Sequence, residues 1–479
     1  MSLFAILVLP LLAMAVSAAW RRSRHVGGVA TLVAGIASLV LAGRAAWLVA
    51  YGARVTGVAN WIALDGLGAL VLVVVAAVGA TAALFSLGYM ARRGHGAGRT
   101  KSYYLHFNLF LFALLLVPMA REPILAWIAI ELTALFSVLL VAFDNTHEAL
   151  EAAWKYIAMM FMGASIALLG FFILFWAFSR AGDGAYCWDA LRTTAPHMPP
   201  MLVQAAFLLI LVGLGTEVGF VPFHTWLPDA HSQAPSPACA LLSGVKTTVA
   251  LSVILRLVPL LPAHWIAPWL ITTGMISVGA AAFLLLQVRD YKRLFAFSTV
   301  EHMGIVFVAV GFGAAGGDYG AMFQIVTHAV AKSFCFLAAG AALLAVGTRE
   351  ISAVRGLIRT SPVAGTAMLL GGLAVAGAPP LAVFLSEFWI FRAGLAGGHY
   401  VVIGLLALFI TVAFVGILLH VNRLVFGRPK DSSKPARASL PASCVLALVL
   451  AAVPVVVLGL YVPGPIDELM RAAAAALTR

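Results

Sequence analysis

Runs of about twenty apolar residues, separated by short polar stretches, recur along the whole chain. At 1.5 Å per residue, a helix of that length matches the roughly 30 Å hydrocarbon core of a bilayer. The pattern predicts about fourteen helical spans, at roughly 2–20, 27–50, 62–90, 104–120, 122–143, 151–179, 201–222, 236–260, 266–287, 292–313, 319–346, 363–391, 400–426 and 441–462. Two stretches interrupt it. In Gly215–Lys246 four prolines (Pro222, Pro228, Pro235, Pro237) fall among Glu217, His224, Asp229, His231 and Lys246. About 155 residues later, Pro379 and Pro380 follow Gly377, with Glu387 just beyond. Proline removes a backbone donor and clashes with the preceding turn, so both stretches predict broken helices. Broken backbone at membrane depth survives only inside protein or along a wet cavity. Paired breaks in two halves point to a transporter built from repeats.

Composition agrees with a polytopic all-α membrane protein. Of the 479 residues, 63% are hydrophobic and 10% charged, against about 25% charged in soluble domains. The net charge of +12 would suit a nucleic-acid binder, but the basic residues sit in short loops between apolar runs. Loops after odd-numbered spans hold 19 of the 30 Lys and Arg, nine lie after even spans or at the termini, and Lys246 and Lys332 lie within spans. The positive-inside rule then places both termini outside. The first apolar run has Arg21, Arg22 and Arg24 after it, not before it. That order reads as a first transmembrane helix, since a signal peptide carries its charges ahead of the apolar core. The loop near 180–200, with Asp183, Trp188, Asp189 and Pro196, reads as an outer capping loop, and Gly427–Pro441 as a basic cytoplasmic linker. The tail Asp467–Arg479 reads as a short Ala-rich stretch. Four scattered cysteines without a CxxC suggest no metal site, cluster or disulfide framework.

The chemistry lies in ionisable residues within spans: Glu131, Glu217, Lys246, Glu301, His302, His328, Lys332 and Glu387. Such groups are costly in lipid and mark pairs or ion pathways. A structural ion pair accounts for any single one of them; eight in one chain suit proton conduction better. His328 and Lys332, four residues apart, share a helix face. Glu301 could pair with Lys292 or Arg293, which leaves His302 the better pathway residue. His224 and His231 are weak zinc ligands, with no Cys or Glu completing a set. Asp229 and His231 suit hydrogen bonding to the broken backbone, and Asp65 a helix cap at the start of span three.

FHTWLPDAHSQAPSPACALLSG (223–244), DYKRLFAFSTVEHMG (290–304), HAVAKSFCFLAAG (328–340) and GAPPLAVFLSEF (377–388) resemble the antiporter-like proton-translocating membrane subunits of complex I and Mrp antiporters. Within that family the PSPxxALLSG and EHMG motifs resemble the hydrogenase-4 component F type. The resemblance implies one antiporter-like membrane domain over 1–479, with a first repeat at about 104–260, a second at about 266–426, and flanking helices at 1–90 and 441–462. The two five-helix repeats would be inverted, with helices 7 and 12 broken and a polar axis in the membrane plane. By position, Glu131 matches the family's fifth-helix glutamate, His302 the tenth-helix histidine of the hydrogenase type, Lys332 the eleventh-helix lysine and Glu387 the twelfth-helix charged residue. His328 lies one turn before Lys332.

Glu217 departs from the pattern, because the family usually has lysine there. Lys246, on the next helix, could supply the missing charge, or could reach toward the cytoplasm and leave Glu217 inert. Either the relay is rewired or the first half does not conduct. The resemblance implies a proton-translocating or sodium-coupled subunit of a redox-driven complex resembling group 4 hydrogenase, formate hydrogenlyase or NADH:quinone oxidoreductase. It would have no cofactor of its own, and other membrane subunits and a peripheral redox arm would be its partners. Its place would be the bacterial or archaeal cytoplasmic membrane. The competing readings are an Mrp-type cation/proton antiporter subunit and a structural subunit that pumps nothing.

Overall fold

The structure is a computed structural model. It describes residues 3–19, 25–57, 61–182, 184–313, 315–428 and 439–477. Arg21, Arg22, Arg24, Asp183, Lys430, Lys434, Arg437 and Arg479 lie outside the described residues, as does most of the 427–441 linker.

The chain is a bundle of helices: α1 (Leu3–Ala19), α2 (Val26–Ala50), α3 (Gly66–Arg92), α4 (Ala97–Met119), α5 (Pro123–Val141), α6 (His147–Ser179), α7 (Trp188–Thr194), α8 (Pro200–Val218), α9 (Trp226–Gln233), α10 (Ser236–Leu241), α11 (Thr247–Leu255), α12 (Ala263–Leu285), α13 (Tyr291–Gly311), α14 (Ala315–Val346), α15 (Leu357–Thr360), α16 (Pro362–Val375), α17 (Ala382–Ala396), α18 (Tyr400–Phe426), α19 (Ala442–Leu460) and α20 (Gly464–Ala475). Among the described residues, 12 helical segments are long and apolar enough to cross a membrane, and Leu3–Ala19 and Pro362–Val375 are shorter apolar helices. The segment 236–260, α13 and most of α14 are enclosed by protein, while α18 and α19 leave much of their apolar surface outward. That division fits an inner ring of polar-bearing helices with a lipid-facing surround.

Both expected breaks are present. The first follows α8, where Gly219 takes φ +88° and its N–H bonds the Gly215 carbonyl at 2.9 Å. Only glycine adopts that backbone without strain. The chain resumes as α9, and Ala234 and Pro235 separate α9 from α10. Of the four prolines, Pro222 lies in the break and Pro235 caps α10. Pro228 and Pro237 instead sit in the first turns of α9 and α10, where a missing N–H removes no helical bond. Those two start helices; they do not break them. The second break, residues 376–381, holds Pro379 and Pro380 between α16 and α17. A turn of π-helix, Leu242–Lys246, joins α10 to α11.

Three features differ from the sequence reading. A small antiparallel hairpin, β1 (Val55–Gly57) and β2 (Ile62–Leu64), precedes α3. The loop near 180–200 contains helix α7, whose Trp188 Nε1 donates to the Ala120 carbonyl at 3.0 Å. The Ala-rich tail is not idle: α20 packs on α3 and α14, burying Leu469, Met470 and Ala473. Asp65 caps α3 as expected, accepting from Gly68 N at 2.7 Å, and also clasps Arg256.

Glycine lets buried helices approach closely where no hydrophobic drive separates them from lipid. A Cβ on Gly304 of α13 would lie 2.7 Å from the Gly274 carbonyl oxygen of α12, and one on Gly274 would lie 2.6 Å from the Gly304 oxygen. Neither backbone can yield cheaply. Gly304→Val should therefore destabilise the fold by about 3 kcal/mol or more. Gly43, with nothing within 4 Å of its Cβ position, is the control. Gly43→Ala should be neutral or stabilising by about 0.5–1 kcal/mol. Thermal unfolding of the purified chain in detergent measures both.

Candidate functional site

The first cluster forms where α8 ends and the π turn begins. Glu217 occupies the last turn of α8, and Lys246 closes the π turn. The Lys246 ammonium is in direct contact with the Glu217 carboxylate. The two side chains are 1% and 0% exposed. The ammonium also lies 4.9 Å from the centre of the Trp226 ring and 5.3 Å from that of Tyr156. Aromatic faces at that range attract a desolvated cation. Met160 Sδ, 3.4 Å away, completes the box. Tyr156 is fixed by Ser137, at 2.6 Å, and Trp226 by its Nε1 bond to the Thr216 carbonyl at 2.9 Å. Glu131, on α5, interacts with both charges, and its Oε1 has no hydrogen-bond partner. Lys246 therefore does not reach for water, and Glu217 is not isolated.

Three residues before Lys246, Ser243 begins the link to the second half. Its hydroxyl bonds Thr299 Oγ1 at 2.6 Å. Its carbonyl accepts from His328 Nε2 at 3.1 Å and from the Thr247 hydroxyl at 3.1 Å. Gly244 makes room for this, since a Cβ there would crowd the Ala329 carbonyl at 3.1 Å. On its other side, His328 Nδ1 faces His302 Nδ1 at 3.2 Å. His302 Nε2 in turn meets the carbonyl of Val375, the last residue of α16, at 3.0 Å.

Carbonyls only accept, so each ring must carry its proton on Nε2. The two Nδ1 lone pairs then face one another, and the 3.2 Å contact is a hydrogen bond only when one more proton lies between them.

Lys332, one turn beyond His328, donates to the Phe295 carbonyl at 2.8 Å and to the Ser298 hydroxyl. Among the described residues no carboxylate pairs with it directly, though Glu301 interacts with its charge. Glu387, 7% exposed on α17, lies against the second break: a Cβ on Gly377 would come within 2.5 Å of its Oε2. Next to it, Ser386 bonds Thr327 at 2.8 Å and Gln324 at 2.6 Å.

Other expected residues serve elsewhere. Asp229 does not bond the broken backbone; it pairs with Arg293 at 2.6 Å and Lys155 at 3.4 Å. Glu301 pairs with neither Lys292 nor Arg293: it is 3% exposed with Oε2 unpartnered. Lys292 instead donates to the carbonyls of Ser232 at 3.0 Å and Ala234 at 2.5 Å. Asp290 takes the Ser232 hydroxyl at 2.6 Å and the N–H of Lys292 at 2.7 Å. The DYKR motif is therefore a clamp on the end of the broken helix. His231 bonds the Leu227 carbonyl of its own helix at 2.7 Å. Among the described residues His224 Nδ1 is buried without a hydrogen-bond partner. Sequence reasoning missed Ser243, Thr299, Ser298, Tyr156 and Trp226. The spacing of Ser243 and Lys246 within LLSGVK is the one signal for the first of these; the others are joined only by folding.

The membrane-domain family described as NADH:quinone oxidoreductase/Mrp antiporter, TM, matches residues 120–413, more than half of the chain. The chain belongs to this family. A hydrogenase-4 component F homolog of Methylacidiphilum infernorum is 36% identical over 422 residues, covering 85% of this chain and 87% of that protein. A Na(+)/H(+) antiporter subunit A1 of Staphylococcus haemolyticus is 30% identical over 85% of this chain, which spans 53% of that longer protein. Among solved structures, a chain of an archaeal membrane-bound sulfane sulfur reductase has the same fold, with TM-score 0.88, 24% identity and coverage of 100% of this chain and 98% of that one. A chain of the Mrp complex of Dietzia gives TM-score 0.87 at 19% identity, over 99% of this chain and 97% of that one.

For this family member the Glu217–Lys246 contact has an energetic signature. Removing one partner of a buried pair strands a charge and costs about 3–5 kcal/mol, while removing both can be nearly neutral. Glu217→Gln and Lys246→Met should each lower the yield and thermal stability of the chain in membranes. The double substitution should be more stable than either single one. Additive losses across this double-mutant cycle would mean that the two residues do not act as a pair.

Proposed function

We propose that this chain is a proton-translocating membrane subunit of a redox-driven multi-subunit complex. The observation that carries the reading is the buried polar line running from Glu217 and Lys246 through Ser243, His328 and His302 to the second break, with Lys332, Glu301 and Glu387 beside it. Its carboxylates, ammonium groups and imidazoles can each gain or lose a charge as a neighbour changes, which is what a proton relay requires. Two broken helices supply carbonyls and turns at its ends, as in transporters built from repeats. Pairing α8 with α9 and α16 with α17 across their breaks yields fourteen crossings. We take 104–260 and 266–426 as the two repeats, and 1–90 and 441–462 as flanking helices.

The departure at Glu217 is a rewiring on this reading. Lys246 restores the cation from the next helix, and Glu131 remains in reach of both charges. Likeness over most of its length to a hydrogenase-4 component F homolog favours a redox-driven parent complex, with further membrane subunits and a peripheral redox arm as partners. Likeness to the staphylococcal antiporter subunit supports a second reading, a cation/proton antiporter subunit. The basic-loop asymmetry supports placement in a prokaryotic cytoplasmic membrane with both termini outside.

Lys332 is the residue to test. Among the described residues its buried ammonium has a carbonyl and a hydroxyl as hydrogen-bond partners and no directly paired carboxylate, a costly arrangement that packing alone does not need. In liposomes holding the whole complex, Lys332→Ala should leave the complex assembled and reduce proton flux by at least about tenfold. Undiminished flux through an assembled Lys332→Ala complex would remove the second half from the pathway.

A further inference from the structure

Away from the relay, one cation on the outer surface of a membrane helix lacks a counterion. Arg44 lies on α2, less than two turns before that helix ends at Ala50, and it is exposed. Val40 and Trp47, one turn to either side, are 64% and 54% exposed, so this face of α2 turns away from the bundle. The elements packed on α2 are chiefly α1, α3, α4, α20 and β1. The first 64 residues contain no Asp or Glu, and α3 and α4 contain none either. Asp65, the first carboxylate in the chain, is clasped by Arg256. On α20, Asp467 accepts from the Tyr319 hydroxyl at 2.6 Å and pairs with Arg471 at 2.9 Å, and Glu468 interacts with Arg471. Among the described residues, therefore, no carboxylate pairs with Arg44. A cation within a span is costly and calls for an anion, here from outside the chain.

Beside Arg44 a groove of about 500 Å³ runs between α1 and α2. Its lining is apolar and includes Val8, Leu9 and Leu12 of α1 and Ala37, Val40 and Leu41 of α2. Arg44 stands four residues after Val40 and three after Leu41, so it occupies the next turn on the groove side of α2. A helical side chain leans toward its helix's N-terminus and covers the turn before its own Cα. Arg44 thus leans over the end of the groove. Trp47 and Tyr51 follow at the helix end, with ring centres 5.2 Å apart and Tyr51 59% exposed. Exposed Trp and Tyr at helix ends mark the level of the lipid headgroups. The cation therefore lies at the depth of lipid phosphates, and the groove at the depth of acyl chains.

We propose that the α1–α2 groove holds an acyl chain of an anionic phospholipid whose phosphate sits on Arg44. A guanidinium binds phosphate oxygens through two parallel N–H bonds. The headgroup depth of Arg44 favours a phosphate as its anion over the carboxylate of a neighbouring helix.

The test uses the full chain, purified in mild detergent and mixed with phosphatidylglycerol or phosphatidylcholine, with retained lipid read by native mass spectrometry. The wild-type chain should retain phosphatidylglycerol about fivefold better than Arg44→Gln, and Arg44→Lys should keep most of that difference. Ala37→Phe fills the groove without touching the charge, and should lower retention of both lipids. Arg44 is exposed and Ala37 half-buried, so the variants should fold. Equal phosphatidylglycerol retention in wild type and Arg44→Gln, or unchanged retention in Ala37→Phe, would overturn the proposal. Displacement of the lipid by millimolar inorganic phosphate would overturn it in favour of a free-anion site. In membranes holding the whole complex, a photoreactive benzoylphenylalanine in place of Val40 should capture lipid. Capture of a neighbouring membrane subunit instead would overturn the proposal in favour of a protein interface.

Discussion

A cation and an anion sealed from water set the terms for the rest of this molecule. Taking either charge of the Glu217–Lys246 pair out of water alone would cost several kcal/mol, so each requires the other. The surrounding structure serves that requirement. The break after α8 ends a helix just past the carboxylate, and the π turn brings the ammonium in from the next helix. Trp226 and Tyr156 close over the cation. The DYKR clamp then holds α9, which carries Trp226, through Asp290, Lys292 and Arg293. A change in any of these reaches the pair.

The same π turn ties the two halves together. An extra residue in a helical turn re-aims a carbonyl, and such turns recur at functional sites. Here the Ser243 carbonyl meets His328 while Lys246 meets Glu217. One short segment thus touches a charge pair on one side and a pair of contacting histidines on the other. The histidine pair ends on Val375, at the mouth of the second break.

Much of this was legible in the sequence, because membrane chains write their crossings as apolar runs. Most of the apolar crossings, both breaks and the buried ionisable residues follow from that pattern and from proline chemistry, while several span limits shift. The Glu217–Lys246 contact was legible as a need for charge compensation. Local geometry was harder to read. Pro228 and Pro237 look like breakers in sequence but sit in first turns, where their chemistry is harmless. Asp229 and Glu301 were misassigned because partners distant in sequence decide them: Arg293 and Lys155 take Asp229, and Glu301 is buried away from Lys292 and Arg293, within the field of Lys332. The tail gave too weak a pattern to show that α20 docks on α3. The His302–His328 contact joins residues 26 apart on different helices, which no periodicity reports.

Reversing the charges of the pair tests its role most directly. Glu217→Lys alone, or Lys246→Glu alone, puts two like charges in a sealed site. The exchanged chain, Glu217→Lys with Lys246→Glu, again holds one of each. If the pair organises this region, the exchanged chain will accumulate folded in the membrane several-fold above either single reversal, by recovering part of the roughly 3–5 kcal/mol that a broken buried pair costs. An exchanged chain no more abundant than the single reversals would contradict the account.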